Sequence, residues 1–283
     1  MRALPKPQFD PESVFAECIS RVRNNSLKRK LKLVKSEVGR AAQNFDAAAR
    51  NNTFHTLTTQ KNVNGVDATE MIKVYTDRMA KPDSPGRHIY EQLLAAPPNK
   101  RCPLCGAGMV RTLDHYLPKA DFPALAVVPW NLVPSCRDCN SDKLSGQPAN
   151  PGEATLHPYY DGVLSGKWLY AEIDPAISVL TFMVRPPASW DPVLKKRVAS
   201  HFKVFALGEK YASIGAEELT AIKLILRKML TDNGPTEGPT LIADYLADLA
   251  SGHLTNYEND WKTALYNEIS ENSWYHQGGF ENW

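Results

Sequence analysis

The sequence lacks the features that define several special classes of protein. It has no apolar run that approaches the length of about 20 residues needed to span a membrane, and its first residues lack the apolar segment of a signal peptide. Its net charge is only +2, from 33 basic and 31 acidic residues, so bulk charge does not indicate a nucleic-acid partner. Its five cysteines are too few for a disulfide scaffold. We therefore expect a cytoplasmic globular protein without membrane contact, with about two domains.

Apolar residues recur at helical spacing in the first part of the sequence. A helical stretch is predicted over residues 10–50, with Asp10 as its N-cap and Pro11 as its first helical residue. Between Pro97 and Pro158, in contrast, 10 of the 21 prolines interrupt any long element. A unit of this kind buries little apolar surface and needs a staple such as a bound metal ion.

Two short strands and then several helices are predicted after the proline-rich stretch. Residues 168–173 and 177–184 are predicted strands, joined by a turn at Asp174-Pro175-Ala176. Beyond residue 190, apolar residues again recur at helical spacing. The predicted fold class is therefore mainly α with a small α+β insert.

One segment carries a strong local charge. Between Arg21 and Arg40 there are eight basic residues and one acid, Glu37. Such a run forms either a solvated helix face or a stripe that faces phosphate groups, and the sequence leaves both interpretations open.

Four of the five cysteines form two Cys-x-x-Cys pairs. Cys102 and Cys105 are separated from Cys136 and Cys139 by 30 residues. Zinc prefers four thiolate or imidazole ligands in a tetrahedron, and each pair supplies two ligands from one tight turn. We predict one structural Zn²⁺ per chain, and Gly106 suits a turn with positive φ. The alternative is four buried free cysteines. The fifth cysteine, on an apolar helix face, is a predicted core residue.

The residues around these pairs carry a resemblance. In order, the chain contains Cys102-x-x-Cys105, Asp114-His115, Asn131-Leu132 and Cys136-x-x-Cys139-Asn140-x-x-Lys143. This pattern resembles HNH nucleases of the ββα-metal class, in the subgroup whose hairpin is flanked by a four-cysteine zinc site. The run Tyr90–Tyr160 is also similar to bacterial HNH proteins, some of which are encoded beside an ATPase in Septu-type anti-phage systems. The resemblance covers about a quarter of the chain.

The resemblance and the residue types together predict the chemistry of the site. His115 is the predicted general base, because an imidazole can deprotonate water near pH 7. Asp114 and Asn140 offer oxygen ligands that suit Mg²⁺ or Mn²⁺. The resemblance implies that Asn131 hydrogen-bonds the loop carrying the Asp-His pair and orients the imidazole. Alternatively, Asn140 only caps a helix, and Asn131 is an ordinary turn residue.

Four further residues are candidates for supporting roles. Lys143, Lys119 and Arg137 are predicted to contact substrate phosphates. His157 has either a structural role or an additional contact with metal or phosphate.

The resemblance also divides the chain into regions. These are a helical N-terminal region at 1–96, an HNH ββα-metal module with its zinc site at 97–160, and a short β-hairpin followed by helices at 161–283. The predicted function is a metal-dependent endonuclease that hydrolyses DNA, with a nuclease subunit of an anti-phage complex as a narrower hypothesis. The alternatives are a zinc-stapled nucleic-acid-binding or partner-docking module without cleavage, and an RNA-directed nuclease. A partner ATPase or sensor docked on the flanking helices is a further hypothesis.

Overall fold

The computed structural model divides the chain into two units. It describes residues 1–143, 146–161, 166–255 and 257–283. The first unit spans Arg2–Val163, and the second spans Leu164–Trp283 together with Met1. The first unit holds both the predicted N-terminal region and the predicted central module, whose separation at residue 96 stays a prediction. No helix within the described ranges is long and apolar enough to cross a membrane.

Helices make up most of the first unit before the proline-rich stretch. They are α1 (Pro11–Cys18), α2 (Asn25–Leu33), α3 (Lys35–Asn51), α4 (Ala68–Tyr75) and α5 (Arg87–Ala95), with a small hairpin of β1 (Asn62–Val63) and β2 (Val66–Asp67) before α4. Asp10 caps α1 as predicted, because its carboxylate accepts the backbone N–H of Ser13 at 2.9 Å. Asp67 caps α4 in the same way. The apolar faces of these helices pack together, and Leu31, Val38 and Phe45 are fully buried.

The proline-rich stretch forms a hairpin followed by a short helix. Strand β3 (Thr112–His115) pairs antiparallel with β4 (Leu132–Ser135), and His115 lies opposite Leu132. Helix α6 (Arg137–Asp142) follows directly and packs against β3. No element in the described part of this stretch is longer than six residues, as the proline density predicted.

The N-terminal arm lies across this ββα arrangement. The backbone N–H groups of Arg2 and Leu4 donate to carbonyl groups of the proline-rich stretch at 2.8 and 2.9 Å. The indole N–H of Trp130 donates to the carbonyl of Pro7 at 3.1 Å. The ammonium of Lys6 lies 3.7 Å above the Trp130 ring, at cation–π distance. The first residues therefore help to fix the module on the helices.

An ionic cluster joins the arm, α3 and the end of the first unit. Asp46 on α3 accepts hydrogen bonds from Lys6, from Arg50 at 2.9 Å and from the Tyr160 hydroxyl at 2.7 Å. Burial raises the pKa of Asp46, but these hydrogen bonds outweigh it and lower the pKa to about 2. Asp46 is therefore a charged carboxylate that links three segments distant in sequence.

The second unit contains a two-stranded sheet covered by helices. Its elements are β5 (Leu169–Asp174), β6 (Val179–Val184), α7 (Pro192–Val204), α8 (Leu207–Leu254), α9 (Trp261–Glu271) and α10 (Ser273–His276). The two strands pair antiparallel, which confirms the predicted hairpin with its ends shifted by one or two residues. Helices α8 and α9 pack against this sheet. The mainly α fold with small β pieces is thus confirmed.

Helix α8 is broken near its middle. Gly234 has φ 72° and ψ 178°, a conformation that L residues with a side chain rarely adopt. Pro235 follows and removes one backbone donor. These two residues divide α8 into two helical segments.

The cluster around Asp46 predicts a pH-dependent contribution to stability. Because its pKa is lower in the folded state than its ordinary value of 3.8, its contribution is present above pH 3.8 and is lost as the pH falls towards 2. We expect Asp46→Asn to lower the free energy of unfolding by about 1 kcal/mol at pH 7. Urea denaturation at several pH values measures this. The difference from the parent should shrink below pH 4, and Glu17→Gln, at an exposed carboxylate, should have little effect.

Candidate metal centre and adjoining polar site

The two cysteine pairs converge on one point in the first unit. The Sγ atoms of Cys102, Cys105, Cys136 and Cys139 all lie within 4.8 Å of one another, and all four residues are buried. The Cys105 and Cys136 sulfurs are 3.9 Å apart. A tetrahedron with metal–sulfur bonds of about 2.3 Å has an edge of about 3.8 Å, so this spacing fits one ion. The four cysteines are therefore positioned to bind one metal ion.

Local backbone geometry prepares both pairs for this role. Gly106 has φ 72° directly after the first pair, as predicted from its position. The N–H of Gly108 donates to Cys105 Sγ at 3.3 Å, and the N–H of Cys139 donates to Cys136 Sγ at 3.4 Å. Hydrogen bonds from the other three thiols lower the pKa of Cys105, against the raising effect of burial. Such donors stabilise the thiolate form, which is the form that binds metals.

The fifth cysteine has a different environment. Cys18 is fully buried on α1, outside the four-cysteine group. Burial raises the pKa of its thiol to about 12, so it stays a neutral apolar side chain. The predicted core role of Cys18 is confirmed.

His115 lies buried at the end of β3, with 7% of its surface exposed. Its Nε2 is 2.9 Å from the carbonyl oxygen of Ala126, and the Tyr75 ring packs edge-on at 4.4 Å between centroids. A carbonyl can only accept, so Nε2 carries the proton and Nδ1 carries the lone pair of the neutral ring. Burial, and then the nearby charge of Lys119, lower the pKa of His115 to about 3. The imidazole is therefore neutral, with Nδ1 able to accept a proton.

Asn131 is fully buried and braces the loop between β3 and β4. Its Oδ1 accepts the N–H of Leu117 at 2.7 Å, and its Nδ2 donates to the carbonyls of Leu117 at 3.0 Å and Leu125 at 3.3 Å. Leu125 directly precedes Ala126, whose carbonyl holds His115. Asn131 therefore fixes both sides of the loop that orients the imidazole.

Asp114 and Lys143 join β3 to the end of α6. The Lys143 ammonium is 2.7 Å from Asp114 Oδ2 and also donates to the carbonyl of His115 at 2.6 Å. The two side chains are only 13% and 12% exposed. Lys143 therefore has a carboxylate partner, and its predicted contact with a substrate phosphate stays a prediction. Among the described residues, Asp114 Oδ1 has no hydrogen-bond partner.

Asn140 is exposed on α6, one turn before Lys143. Its amide oxygen and the Asp114 carboxylate are donors of the type that hard divalent ions prefer. The donor types therefore fit Mg²⁺ or Mn²⁺, although the ammonium of Lys143 competes for one carboxylate oxygen. The helix is capped by Cys136, so the alternative in which Asn140 caps it is wrong.

The remaining predicted residues lie in three different surroundings. Lys119 lies near His115, with its ammonium 5.6 Å from the centre of the Tyr75 ring. Arg137 is exposed at the start of α6. His157 is fully buried among aromatic rings, 4.4 Å from that of Tyr116 between centroids. This environment is the one expected if His157 has a structural role.

Two groups at the site were missed by sequence analysis. The Tyr75 ring packs on His115, and its hydroxyl donates to the carbonyl of Leu113 at 3.1 Å. The sequence analysis did not single out Tyr75. The carbonyl of Ala126 has no sequence signal, because every residue carries one.

Comparison with known proteins gives a distant similarity. The chain is 27% identical over 230 residues to protein ea31 of Escherichia phage lambda, and the match covers 76% of each chain. No family model matches the chain, and no solved structure matches it.

The four-cysteine cluster predicts a defined metal content. We expect the purified chain to hold one metal ion, and Cys139→Ser to lose it together with thermal stability, because three thiolates leave the coordination incomplete. Native mass spectrometry and elemental analysis measure the ion. The matched control is Cys18→Ala, which should lose stability through a small cavity but keep the ion. Full metal retention in Cys139→Ser would exclude this cluster as the site.

The hydrogen bonds of Asn131 predict that a small substitution at this position strongly lowers stability. In Asn131→Asp, a carboxylate replaces the amide that donates to two buried carbonyls, so these acceptors are left unpaired and face a negative charge. We expect the free energy of unfolding to fall by about 3 kcal/mol in urea denaturation. Asn140→Asp provides the comparison, because this side chain is exposed and should change stability little. Equal effects at the two positions would contradict the bracing role.

Proposed function

We propose that this protein is a metal-dependent endonuclease of the HNH type that hydrolyses phosphodiester bonds in DNA. The observation that carries the proposal is the state of His115. Its Nε2–H is bound to the Ala126 carbonyl, so Nδ1 is the proton acceptor of the neutral ring, and Asp114 precedes His115 directly on β3. Lys143, which pairs with Asp114, also donates to the backbone carbonyl of His115, so a carboxylate and a cation lie at the same end of β3.

In this proposal, each residue has a distinct task. His115 Nδ1 takes the proton of the attacking water, while the Nε2 hydrogen bond holds the ring in place. Asp114 and Asn140 would hold Mg²⁺ or Mn²⁺, and the bound ion supplies positive charge for the phosphate and the leaving oxygen. A phosphodiester beside the ring raises the pKa of His115 from its low value, because the anion favours the imidazolium. The substrate thus strengthens the base when it binds.

We also propose that the ion held by the four cysteines is zinc, with a structural role. Four thiolate ligands fill a tetrahedral shell and leave no position for substrate or water. The cluster would hold the chain before β3 and the chain after β4 together, which fixes the hairpin that carries His115. The phosphodiester chemistry would take place beside the cluster and without its participation.

Exposed basic residues support a nucleic-acid substrate. Arg23, Arg29, Lys30 and Lys32 lie on or next to α2, all exposed, and none makes an ion pair with the described residues. Unpaired cations of this kind attract a phosphate backbone and release its counterions. They do not distinguish DNA from RNA, so an RNA-directed nuclease stays as the alternative substrate class. The partner ATPase or sensor and the anti-phage role stay predictions.

One observation favours a second candidate, a zinc-stapled nucleic-acid-binding module without cleavage. The ammonium of Lys143 lies 2.7 Å from Asp114 Oδ2, where it provides positive charge without a divalent ion. If this pair persists with substrate, the hairpin binds phosphate but lacks its second metal. If Lys143 moves to a phosphate oxygen when the ion binds, the site is catalytic.

The proposal predicts divalent-ion-dependent cleavage that requires His115. We expect the parent to nick or cut plasmid DNA with Mg²⁺ or Mn²⁺, and His115→Ala to be slower by about 100-fold or more. Gel assays with labelled DNA and RNA, with and without the ions, measure this and identify the substrate. The control is His88→Ala, an exposed residue of α5 that should cut at the parental rate. Binding without turnover under every condition would support the second candidate.

A further inference from the structure

An open hollow lies beside the four-cysteine cluster. Its volume is about 380 Å³, and it is lined by Gly108, Met109, Arg111, Cys136, Arg137 and Asp138. It lies at the opposite end of α6 from the Lys143–Asp114 pair. It is therefore outside the proposed catalytic group but on the same small module.

The charges in this hollow are available to a ligand. Arg111 and Arg137 are both exposed, and neither makes an ion pair with any described residue. The carboxylate of Asp138 also lines the hollow and offsets one positive charge, but it pairs with neither guanidinium. Met109 is half exposed at 50%, which adds an apolar wall. Two free guanidinium groups beside an apolar wall fit the phosphate and the apolar part of one nucleotide.

The hollow lies a short distance along the module from the proposed catalytic residues. Arg111 precedes β3, and Asp114 is three residues later, which is about 10 Å at about 3.3 Å per residue. Arg137 begins α6, and Lys143 is six residues later, which is about 9 Å at about 1.5 Å per residue. In a duplex, phosphates of one strand advance about 3.4 Å along the axis per step and lie farther apart than this in space, so a span of about 10 Å covers no more than a few nucleotides.

We propose that Arg111 and Arg137 bind a backbone phosphate of the substrate within a few nucleotides of the bond that is cut, with Met109 against the same nucleotide. This inference rests on the proposed nuclease function. The contact positions the strand and carries no sequence information, because every nucleotide has the same phosphate. The proposal gives a role to Arg111, which lies outside the motifs of the resemblance. It also locates the phosphate contact that the sequence analysis predicted for Arg137.

The test compares a long substrate with a single-phosphate substrate. The duplex reaches both the hollow and His115, whereas bis(p-nitrophenyl) phosphate has one phosphate and reaches only the reacting position. We expect Arg111→Ala and Arg137→Ala each to raise KM for a 30-base-pair duplex by about tenfold. The rise in KM for the small ester should be far smaller. Arg111→Lys should fall between the parent and Arg111→Ala, because it keeps the charge but not the two-pronged geometry.

The matched control is Arg101→Ala. Arg101 is an exposed arginine near the first cysteine pair, but it does not line the hollow, and it donates to the carbonyl of Ala107. We expect each hollow variant to lower the slope of log binding constant against log salt by about 1, and Arg101→Ala to lower it much less. Equal slopes for all three arginine variants would overturn the proposal, because the effect would then be bulk charge. Equal losses on duplex and ester would also overturn it, by showing a structural defect.

Failure of the nuclease proposal gives a different result. If the parent cleaves neither the duplex nor the ester, the proposed function is wrong. Duplex binding by His115→Ala, without added divalent ions, then tests the hollow separately through the same salt slopes. An unchanged slope in Arg111→Ala on this background would overturn the phosphate site itself.

Discussion

The convergence of four thiols on one point is the constraint on which the central module depends. Strands β3 and β4 have four residues each, and a two-stranded hairpin of this size is marginal in water. The cysteine pairs lie before one strand and after the other, so a shared ion would close the loop between them. The N-terminal arm and the cluster around Asp46 add a second attachment, to the helices. The hairpin is thereby fixed at both ends, which is what a precisely placed imidazole requires.

The polar site combines a firmly held imidazole, that of His115, with a carboxylate, that of Asp114, whose partner is a lysine. His115 is fixed by the carbonyl of Ala126, by the ring of Tyr75 and, through the loop, by Asn131. In contrast, the Asp114 carboxylate faces the ammonium of Lys143, a charge on a flexible stem. In the proposed mechanism, Lys143 neutralises this carboxylate until a divalent ion displaces it. The proposed activity therefore requires a divalent ion to replace Lys143 at Asp114, while the His115 ring keeps its position.

The sequence was sufficient where the physical cause was local. The cap at Asp10, the turn at Gly106 and the β5–β6 hairpin each follow from residues within a few positions of one another. The four-cysteine cluster was also predictable, because two Cys-x-x-Cys pairs at this separation are typical of zinc sites. The partners of His115 and Lys143 were not predictable, since a backbone carbonyl has no signature and an ion pair over 29 positions depends on how α6 packs. The candidate residues of the site were thus predictable from the sequence, whereas their contact partners depend on the tertiary fold.

The proposed mechanism requires the hairpin to bring Asp114 and Asn140 to one divalent ion beside His115. A crystal structure of the protein with Mn²⁺ and a short DNA duplex, with anomalous scattering recorded for zinc and manganese, shows directly whether it does. We expect a zinc peak among the four cysteines and a manganese peak about 2.1 Å from oxygens of both residues, with Lys143 turned to phosphate. A manganese ion bound elsewhere, or Lys143 still paired with Asp114 on bound DNA, would contradict the mechanism.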